Sequence, residues 1–391
     1  MNNFACLRIA IAVVLFTSAG ILRAAAPDAP PDTPGPIAAL PWLHEGTVFT
    51  YSKHAAYVPG KPVTWKQNDD GDWIDPATGK SYDKIINYGT SAPFIGQIKV
   101  VGLDGNSAAL ENSAYGLEQN LGFADPVLQS PGPPLVADAS ANSFWKLPSE
   151  LAGEASDASK GKLVTQITWP LGDQKIDAVR IQITTDDLYQ LEIYDLKTGI
   201  CVHAASAWVS GHDGDTEITR SDLIRLRQLV IPWAGEPIPQ GVMKADAMHY
   251  AGEIKKGGAF ANLPAQTVMM NFAVKSRGER WILFDTQAMV EGKLVATPAV
   301  VYGPGEFGGM WIGPKAAAGF TAEQVLDEDP DTKMKTVVSK VTDKAVEITS
   351  SNLSSGRAYV YDLASGIQAA WGEYDGPTQT TQTMRRQEAG R

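Results

Sequence analysis

The sequence has few of the residues that usually form catalytic or metal centres. Only two of its 391 residues are cysteine and five are histidine. It contains no Gly-x-Ser-x-Gly elbow and no His-Glu-x-x-His motif, and no carboxylate pair is marked out by its context. We therefore assign no catalytic, cofactor-binding or metal-binding residue from the sequence, and we predict no cofactor.

The N-terminus has the features of an export signal. Arg8 precedes an apolar run over 9–22, and three alanines follow at 24–26. This order of charged, apolar and small residues is typical of a secretory signal peptide. The alternative is a membrane anchor, but the run is short for a span of about 20 residues, and Arg23 interrupts it. We predict a signal peptide over 1–26 and export to the periplasm or the extracellular side of a bacterial envelope.

Positive charge is scarce in the rest of the chain. The sequence has 33 Lys and Arg against 44 Asp and Glu; the signal peptide removes two arginines, which leaves 31 against 44, or −13. Nucleic acids and anionic membrane surfaces need a basic patch, so we predict no nucleic-acid partner. Cys201 is then the single cysteine, so no intramolecular disulfide can form and the core alone must stabilise the fold.

One seven-residue segment occurs twice. Residues 194–200 read Tyr-Asp-Leu-Lys-Thr-Gly-Ile and residues 361–367 read Tyr-Asp-Leu-Ala-Ser-Gly-Ile. Each segment predicts the turn of a β-hairpin, because glycine suits a turn position with positive φ and aspartate bonds the backbone just ahead of it. Apolar and polar residues alternate over 189–193, as in a half-buried strand.

Other matched pairs in the same order extend this repeat. They are Trp145-x-x-Pro148 with Trp311-x-x-Pro314, Asp104-Gly105 with Glu291-Gly292, Tyr115-Gly116 with Tyr302-Gly303, and Leu40-Pro41-Trp42 with Ile231-Pro232-Trp233. We predict a proline-rich linker over 27–39 and a tandem duplication, with copy one at 40–230 and copy two at 231–391.

The predicted fold class is mainly β, with two tandem copies of a curved antiparallel sheet, half-barrel or sandwich-like, and few short helices. Residues 221–230 fit a capped helix or a strand, and we favour the strand. The segment 125–142 is rich in Pro, Gly, Ser and Ala, and we interpret it as a long loop present only in copy one.

Several patterns resemble ligand sites but have simpler explanations. The acidic stretch 68–75 lacks the glycine and glutamate positions of a helix-flanked calcium loop, so an irregular calcium site or, preferably, a solvated hairpin over 72–82 remains. Cys201 and His203 are two apart on a predicted strand and should share a face. A metal site using His203, His212 and Asp213 is one reading; a buried thiol and a satisfied surface histidine are the preferred one.

Two further patterns concern copy two. The glycine spacing of 303–308 matches a dinucleotide loop, but the residues that follow cannot open the helix that such a loop requires. We therefore exclude nucleotide binding. The acidic residues around Pro330 are interpreted as a solvated turn.

The repeated hairpin, in a strand-rich chain with an export signal, resembles exported bacterial half-barrel proteins of the lipoprotein-carrier-like group. It is also similar to other exported bacterial proteins built from duplicated β-modules. The first resemblance implies an antiparallel sheet curved around an apolar groove, and it carries over no functional residue.

Two functions follow as hypotheses. The first is an exported non-enzymatic binding protein that holds a lipid or another apolar or amphipathic ligand in the groove, between the sheet of copy one and the segment 125–142. The alternative is a structural or protein-interaction module that contacts envelope proteins. An enzyme is a third reading, which the missing motifs disfavour.

Overall fold

The computed structural model describes residues 40–58, 66–67, 73–74, 81–82, 93–116, 125–128, 132–210, 215–377 and 379–387. The predicted signal peptide and linker lie outside these residues, as do His212 and Asp213.

The first half of the described chain contains one helix and thirteen strands. The helix is α1 (Pro148–Gly153). The strands are β1 (Thr47–Val58), β2 (Lys66–Gln67), β3 (Trp73–Ile74), β4 (Ser81–Tyr82), β5 (Phe94–Asp104), β6 (Ser107–Gly116), β7 (Val127–Leu128), β8 (Leu135–Asp138), β9 (Lys162–Leu171), β10 (Gln174–Thr184), β11 (Leu188–Asp195), β12 (Cys201–Ser210) and β13 (Asp215–Gln228).

The second half contains two helices and eleven strands among its described residues. The helices are α2 (Gln240–Met243) and α3 (Pro314–Ala317). The strands are β14 (Ala247–Lys256), β15 (Gln266–Arg277), β16 (Ile282–Val290), β17 (Lys293–Ala296), β18 (Val300–Tyr302), β19 (Val325–Glu328), β20 (Lys335–Val341), β21 (Ala345–Ser351), β22 (Ser355–Asp362), β23 (Gln368–Asp375) and β24 (Thr380–Gln387).

Most of these strands form two large antiparallel sheets with matching strand order, and β2, β3 and β4 form a small separate sheet, so the predicted fold class is confirmed. The first runs β7-β6-β5-β1-β13-β12-β11-β10-β9, with β8 also on β6. The second runs β17-β16-β15-β14-β24-β23-β22-β21-β20-β19, with β18 also on β16. In each sheet the first and last long strands pair in the middle. The segment 221–230, which we favoured as a strand, lies mainly in β13.

The repeated hairpin occupies the same place in both sheets. Tyr194 pairs with Val179 and Tyr361 with Val346, and a β-bulge follows at the Tyr in each hairpin. The backbone of Trp145 bridges to Ile200 just as that of Trp311 bridges to Ile367. Gly199 and Gly366 have φ values of 75° and 70°, as a tight turn requires.

Three of the sequence correspondences are wrong. Asp104-Gly105 turns between β5 and β6, but Glu291-Gly292 turns between β16 and β17, which are the counterparts of β6 and β7. Tyr115 lies on β6, whereas Tyr302 lies on β18, the counterpart of β8. These matched pairs are only two residues long and carry no information on strand register. They therefore paired residues from strands that are not equivalent.

The third error concerns the start of copy two. Leu40 and Leu43 pack in the cluster that contains Trp145 and Ile200. In the second half, Ile238 and Val242 take this place beside Trp311 and Ile367, whereas Trp233 packs in another cluster. The counterpart of Leu40-Pro41 is thus Ile238-Pro239 and not Ile231-Pro232.

The segment 125–142 is not a loop unique to copy one. It contributes β7 and β8, which pair with opposite ends of β6. Strands β17 and β18 pair with β16 in the same way. Composition misled here because two short edge strands of two and four residues carry little period-2 signal.

The second sheet is strongly curved around the segment that follows β18. Gly308 lies only six residues after Tyr302 on β18, and six residues span at most about 22 Å, although six strand spacings separate β18 from β22, about 29 Å in a flat sheet. A Cβ on Gly308 would lie 2.7 Å from the Tyr359 ring, so the connecting segment runs directly over this strand. At Tyr359 the inner face of the sheet is therefore covered by its own chain.

Each sheet has an inner face and an outer face. The inner face carries Tyr51 in the first sheet and Tyr250 in the second, and each hydroxyl donates to the backbone oxygen that follows the repeated hairpin, that of Cys201 and of Gln368. The outer face of the first sheet packs against the second half. There Val48 joins the cluster around Tyr361, and Val101 and Ala109 pack on Trp281 and Val301.

Candidate functional site

Two cross-strand ion pairs face each other where the sheets meet. Lys99 on β5 lies opposite Glu111 on β6, and their charged groups are 2.7 Å apart. Arg357 on β22 lies opposite Glu373 on β23, at 3.2 Å. Directly opposed residues of an antiparallel pair have adjacent side chains, so the sheet register alone forms each pair. The first pair points from the outer face of the first sheet and the second from the inner face of the second.

The two pairs belong to one electrostatic unit. Burial would raise the pKa of Glu111, but Lys99 and Arg357 outweigh burial and hold that pKa below its usual value. Burial likewise opposes protonation of Arg357, and its carboxylate partners, with Glu373 foremost, raise its pKa. All four side chains keep 22% to 34% of their surface exposed although they lie between two sheets. They therefore stay partly accessible to solvent, and we call the place where these four side chains lie the charged pocket.

Glu306 lies near the charges of the charged pocket. It lies in the segment after β18, is 4% exposed, and accepts a hydrogen bond of 3.1 Å from the backbone N–H of Gly303. Burial, reinforced by the negative charge of Glu111, raises its pKa to about 8. The carboxyl is thus mostly protonated at neutral pH, and the charged pocket holds two cations against two carboxylates.

Three tyrosines complete the lining. Burial raises the pKa of Tyr115 to about 12, and it also raises the pKa values of Tyr302 and Tyr359. Their hydroxyls stay neutral and can donate or accept hydrogen bonds. The lining therefore combines fixed charges with neutral polar groups.

An apolar row runs beside the charges on the same inner face. Tyr359 lies opposite Trp371, and Trp371 lies opposite Met384. The next row along the strands holds Arg357 and Glu373. Nε of Arg357 is buried and has no hydrogen-bond partner among the described residues. The charged pocket thus offers an apolar wall, paired charges and one unused donor.

The residues singled out from the sequence lie elsewhere. The β-bulge at Tyr194 turns Cys201 to the inner face, against Leu151 and Tyr194, and His203 to the opposite face. Our expectation that they share a face is wrong. His203 Nδ1 lies 2.7 Å from a carboxylate oxygen of Asp222, and the histidine is buried, so it is satisfied but not at the surface. The buried thiol is confirmed.

The acidic turn around Pro330 is not a solvated turn. Asp329 is buried and accepts hydrogen bonds from the side chain of Gln97 at 2.6 Å and from Arg227 at 2.8 Å. Arg227 also pairs with Asp327, and Arg225 pairs with Asp331. This turn docks the second half onto the first.

The glycine-rich segment 303–308 has the same structural purpose. A Cβ on Gly303 would strike the carbonyl oxygen of Val101, and one on Gly305 would strike that of Val100. The N–H of Gly305 donates to the carbonyl of Val101 at 2.8 Å. These glycines allow backbone contact between the halves.

Of the acidic stretch 68–75, only Trp73 and Ile74 are described. They pair with Tyr82 and Ser81 as a hairpin, in agreement with the preferred reading. No group of three or more His, Cys, Asp or Glu side chains in the described part of the chain is arranged to hold a metal ion.

Comparison with known proteins gives little guidance. No protein-family model matches the chain, and no curated protein matches it. One solved structure with a resemblance is the isotype 1 transferrin binding protein B from serogroup B Neisseria meningitidis. It is 9% identical, with 88% of this chain and 77% of that chain covered and a TM-score of 0.11. At this score the likeness defines neither a shared fold nor a shared function.

None of the helices among the described residues is long and apolar enough to cross a membrane.

No sequence pattern marks the charged pocket. Its four paired charges lie up to 274 positions apart, from Lys99 to Glu373, and each is an ordinary charged residue on an alternating strand. The one local signal was Glu306, an acid inside a glycine-rich segment that follows an apolar strand.

Proposed function

We propose that this is an exported, non-enzymatic binding protein that holds an amphipathic molecule in the charged pocket. The observation that carries the proposal is the partial exposure of four charged side chains between two packed sheets, beside an apolar row. A space with one apolar wall and a few placed polar groups is the usual form of a small-molecule site. Export rests on the predicted signal peptide.

The chemistry of the lining narrows the ligand. The apolar wall, the partly buried Trp371 backed by the buried Met384, suits an alkyl chain or a ring system. The unused Nε–H of Arg357 needs an acceptor, because a buried donor left unpaired costs about 1–3 kcal/mol. The ligand headgroup should therefore carry acceptor oxygens, as a sulfonate, a phosphate or a carboxylate does.

The position differs from the one we expected from the sequence. Strands β7 and β8 lie within the segment 125–142 and pair with β6. Asp125 and Pro126 accept hydrogen bonds from residues 352–354 of the second half. This segment is thus part of the contact between the halves, and the pocket lies on the inner face of the second sheet.

Fluorescence titration with 1-anilinonaphthalene-8-sulfonate tests the proposal, because this dye joins apolar rings to a sulfonate. We expect saturable binding by the wild type and at least tenfold weaker binding by Arg357→Met. The matched control is Arg385→Met, which makes the same change on the opposite face of the same sheet, two strands away. It should bind like the wild type.

A second variant separates binding from folding. Arg357→Gln with Glu373→Gln keeps a hydrogen-bonding pair but removes both charges, and its melting temperature shows whether the fold is intact. A folded double variant that binds as tightly as the wild type would contradict the proposal, as would binding that never saturates.

A further inference from the structure

We propose that the protein associates with itself head to tail, with the outer face of the second sheet docking on the inner face of the first sheet of the next molecule. The surfaces involved are separate from the charged pocket. The argument starts from a contact that the chain already makes within itself.

Inside one molecule, a row of three residues on the outer face of the first sheet is covered by the second half. Ile95, Tyr115 and Leu128 are direct cross-strand neighbours on β5, β6 and β7. They pack with Met334 of the second half. The N–H of Leu128 also donates to Ser355 Oγ at 3.5 Å. We call this row the first docking row.

The second sheet carries a matching row. Tyr51 lies opposite Gly96 and Tyr250 lies opposite Met270, and these tyrosines are equivalent by their hydrogen bonds. One position earlier, Met269 therefore corresponds to Ile95. The same register continues outward through cross-strand neighbours, so that Met289 and Leu294 correspond to Tyr115 and Leu128.

This second docking row (Met269, Met289 and Leu294) is exposed. Its three side chains keep between 38% and 71% of their surface open to solvent. Three adjacent apolar side chains on one sheet face form a contiguous patch, and such patches mark interaction sites more often than isolated apolar residues do. The counterpart of this row in the first sheet already forms an interface within the chain, so the same face of the second sheet is also suited to docking.

The first docking row packs against a surface of the second half. The equivalent surface of the first half is uncovered. Ser355, which contacts Leu128, lies opposite Asp375 on the inner face of the second sheet. Ser355 lies six positions before Tyr361, and Leu188 lies six positions before the equivalent Tyr194, so Leu188 corresponds to Ser355. Leu188 lies opposite Trp208, and Trp208 is 45% exposed. At this position the first sheet thus presents two apolar residues, Leu188 and Trp208, which we call the receiving corner. The second sheet has polar residues, Ser355 and Asp375, at the equivalent position.

The occupant of both surfaces is a second copy of this chain. Within one molecule, the docking row of the first sheet packs against the second half. The docking row of the second sheet and the receiving corner of the first sheet therefore stay free. In this chain both free surfaces are apolar and exposed, and burying them together removes apolar area from water. A contact between unlike surfaces propagates as a ring or a filament rather than closing as a symmetric dimer.

Sedimentation velocity over a concentration series provides the test. The wild type should form dimers and then longer species as concentration rises. Met289→Glu blocks the second docking row and Trp208→Glu blocks the receiving corner, so each variant alone should remain monomeric. Val230→Glu, at an exposed apolar residue outside both surfaces, should associate like the wild type.

Mixing the two variants distinguishes head-to-tail contact from a symmetric one. Met289→Glu keeps its corner and Trp208→Glu keeps its row, so an equimolar mixture should form one dimer that does not grow. Unchanged circular dichroism and melting temperature confirm that each variant folds. A wild type that stays monomeric at all concentrations overturns the proposal, and so does a mixture that forms no dimer.

Discussion

Glu306 shows how one buried carboxyl makes stability depend on pH. Burial and the nearby Glu111 raise its pKa to about 8 in the folded protein, well above the ordinary value of about 4.3 in an unfolded chain. Between these values the folded state binds more protons than the unfolded state, so this group lowers stability as pH rises. The slope reaches about 1.4 kcal/mol per pH unit and ends above pH 8.

Glu306→Gln should therefore be more stable than the wild type at pH 8 and closely similar at pH 4.5. The measurement is the free energy of unfolding in urea for both proteins from pH 4.5 to 9. The difference between them isolates Glu306 from other titrating groups. A difference that stays constant over this range would show that Glu306 does not have a raised pKa.

The two hairpin glycines are a second feature at the residue scale. At Gly199 a Cβ would strike the carbonyl oxygen of Lys146, and at Gly366 it would strike that of Ile312. We expect alanine at either position to cost at least about 1 kcal/mol. Gly292 has a similar φ of 74° but open space around it, so Gly292→Ala measures the backbone cost alone and should be milder. Equal melting temperatures for all three variants would contradict this account.

At the scale of elements, the turn between β19 and β20 joins the two halves. Asp329 accepts hydrogen bonds from Gln97, from Arg227 and from the backbone N–H groups of Asp331 and Thr332. Asparagine would replace a buried acceptor-only carboxylate by an amide whose NH2 group cannot accept these bonds, while Arg227 keeps its pairing with Asp327, so Asp329→Asn should cost about 1–3 kcal/mol.

Glu328→Gln is the matched control for this turn. Glu328 pairs with Lys335 at an exposed position, where an ion pair contributes about 0–1 kcal/mol. Chemical unfolding of both variants at neutral pH gives the comparison. If the two substitutions cost the same, the turn does not dock the halves as described.

The sequence predicted features that depend on local pattern. Alternation marked the strands, and the glycine of each repeated hairpin marked a turn that the structure places identically in both sheets. Features that depend on register were missed. One extra residue in a bulge sends Cys201 and His203 to opposite faces, and period-2 reasoning cannot detect it. The buried Asp329 was read as solvated because its partners, Gln97 and Arg227, lie more than 100 positions away.

At the scale of the molecule, two similar sheets pack with unlike faces together. The outer face of the first meets the inner face of the second, and their polar strand positions enclose the charged pocket. The second sheet uses its inner face for this contact, whereas the first sheet leaves its inner face free. Two similar modules therefore have different roles. The pocket exists only in the assembled chain, because Lys99 and Glu111 come from one sheet and Arg357 and Glu373 from the other.

The most direct test of this account is a crystal structure of the protein without residues 1–26, with a brominated alkyl sulfonate, its bromine located by anomalous scattering. The account predicts a bromine peak against Trp371, with the sulfonate oxygens within hydrogen-bond distance of Arg357 Nε. A peak confined to the first sheet or to the outer surface, with the charged pocket holding only water, would contradict it.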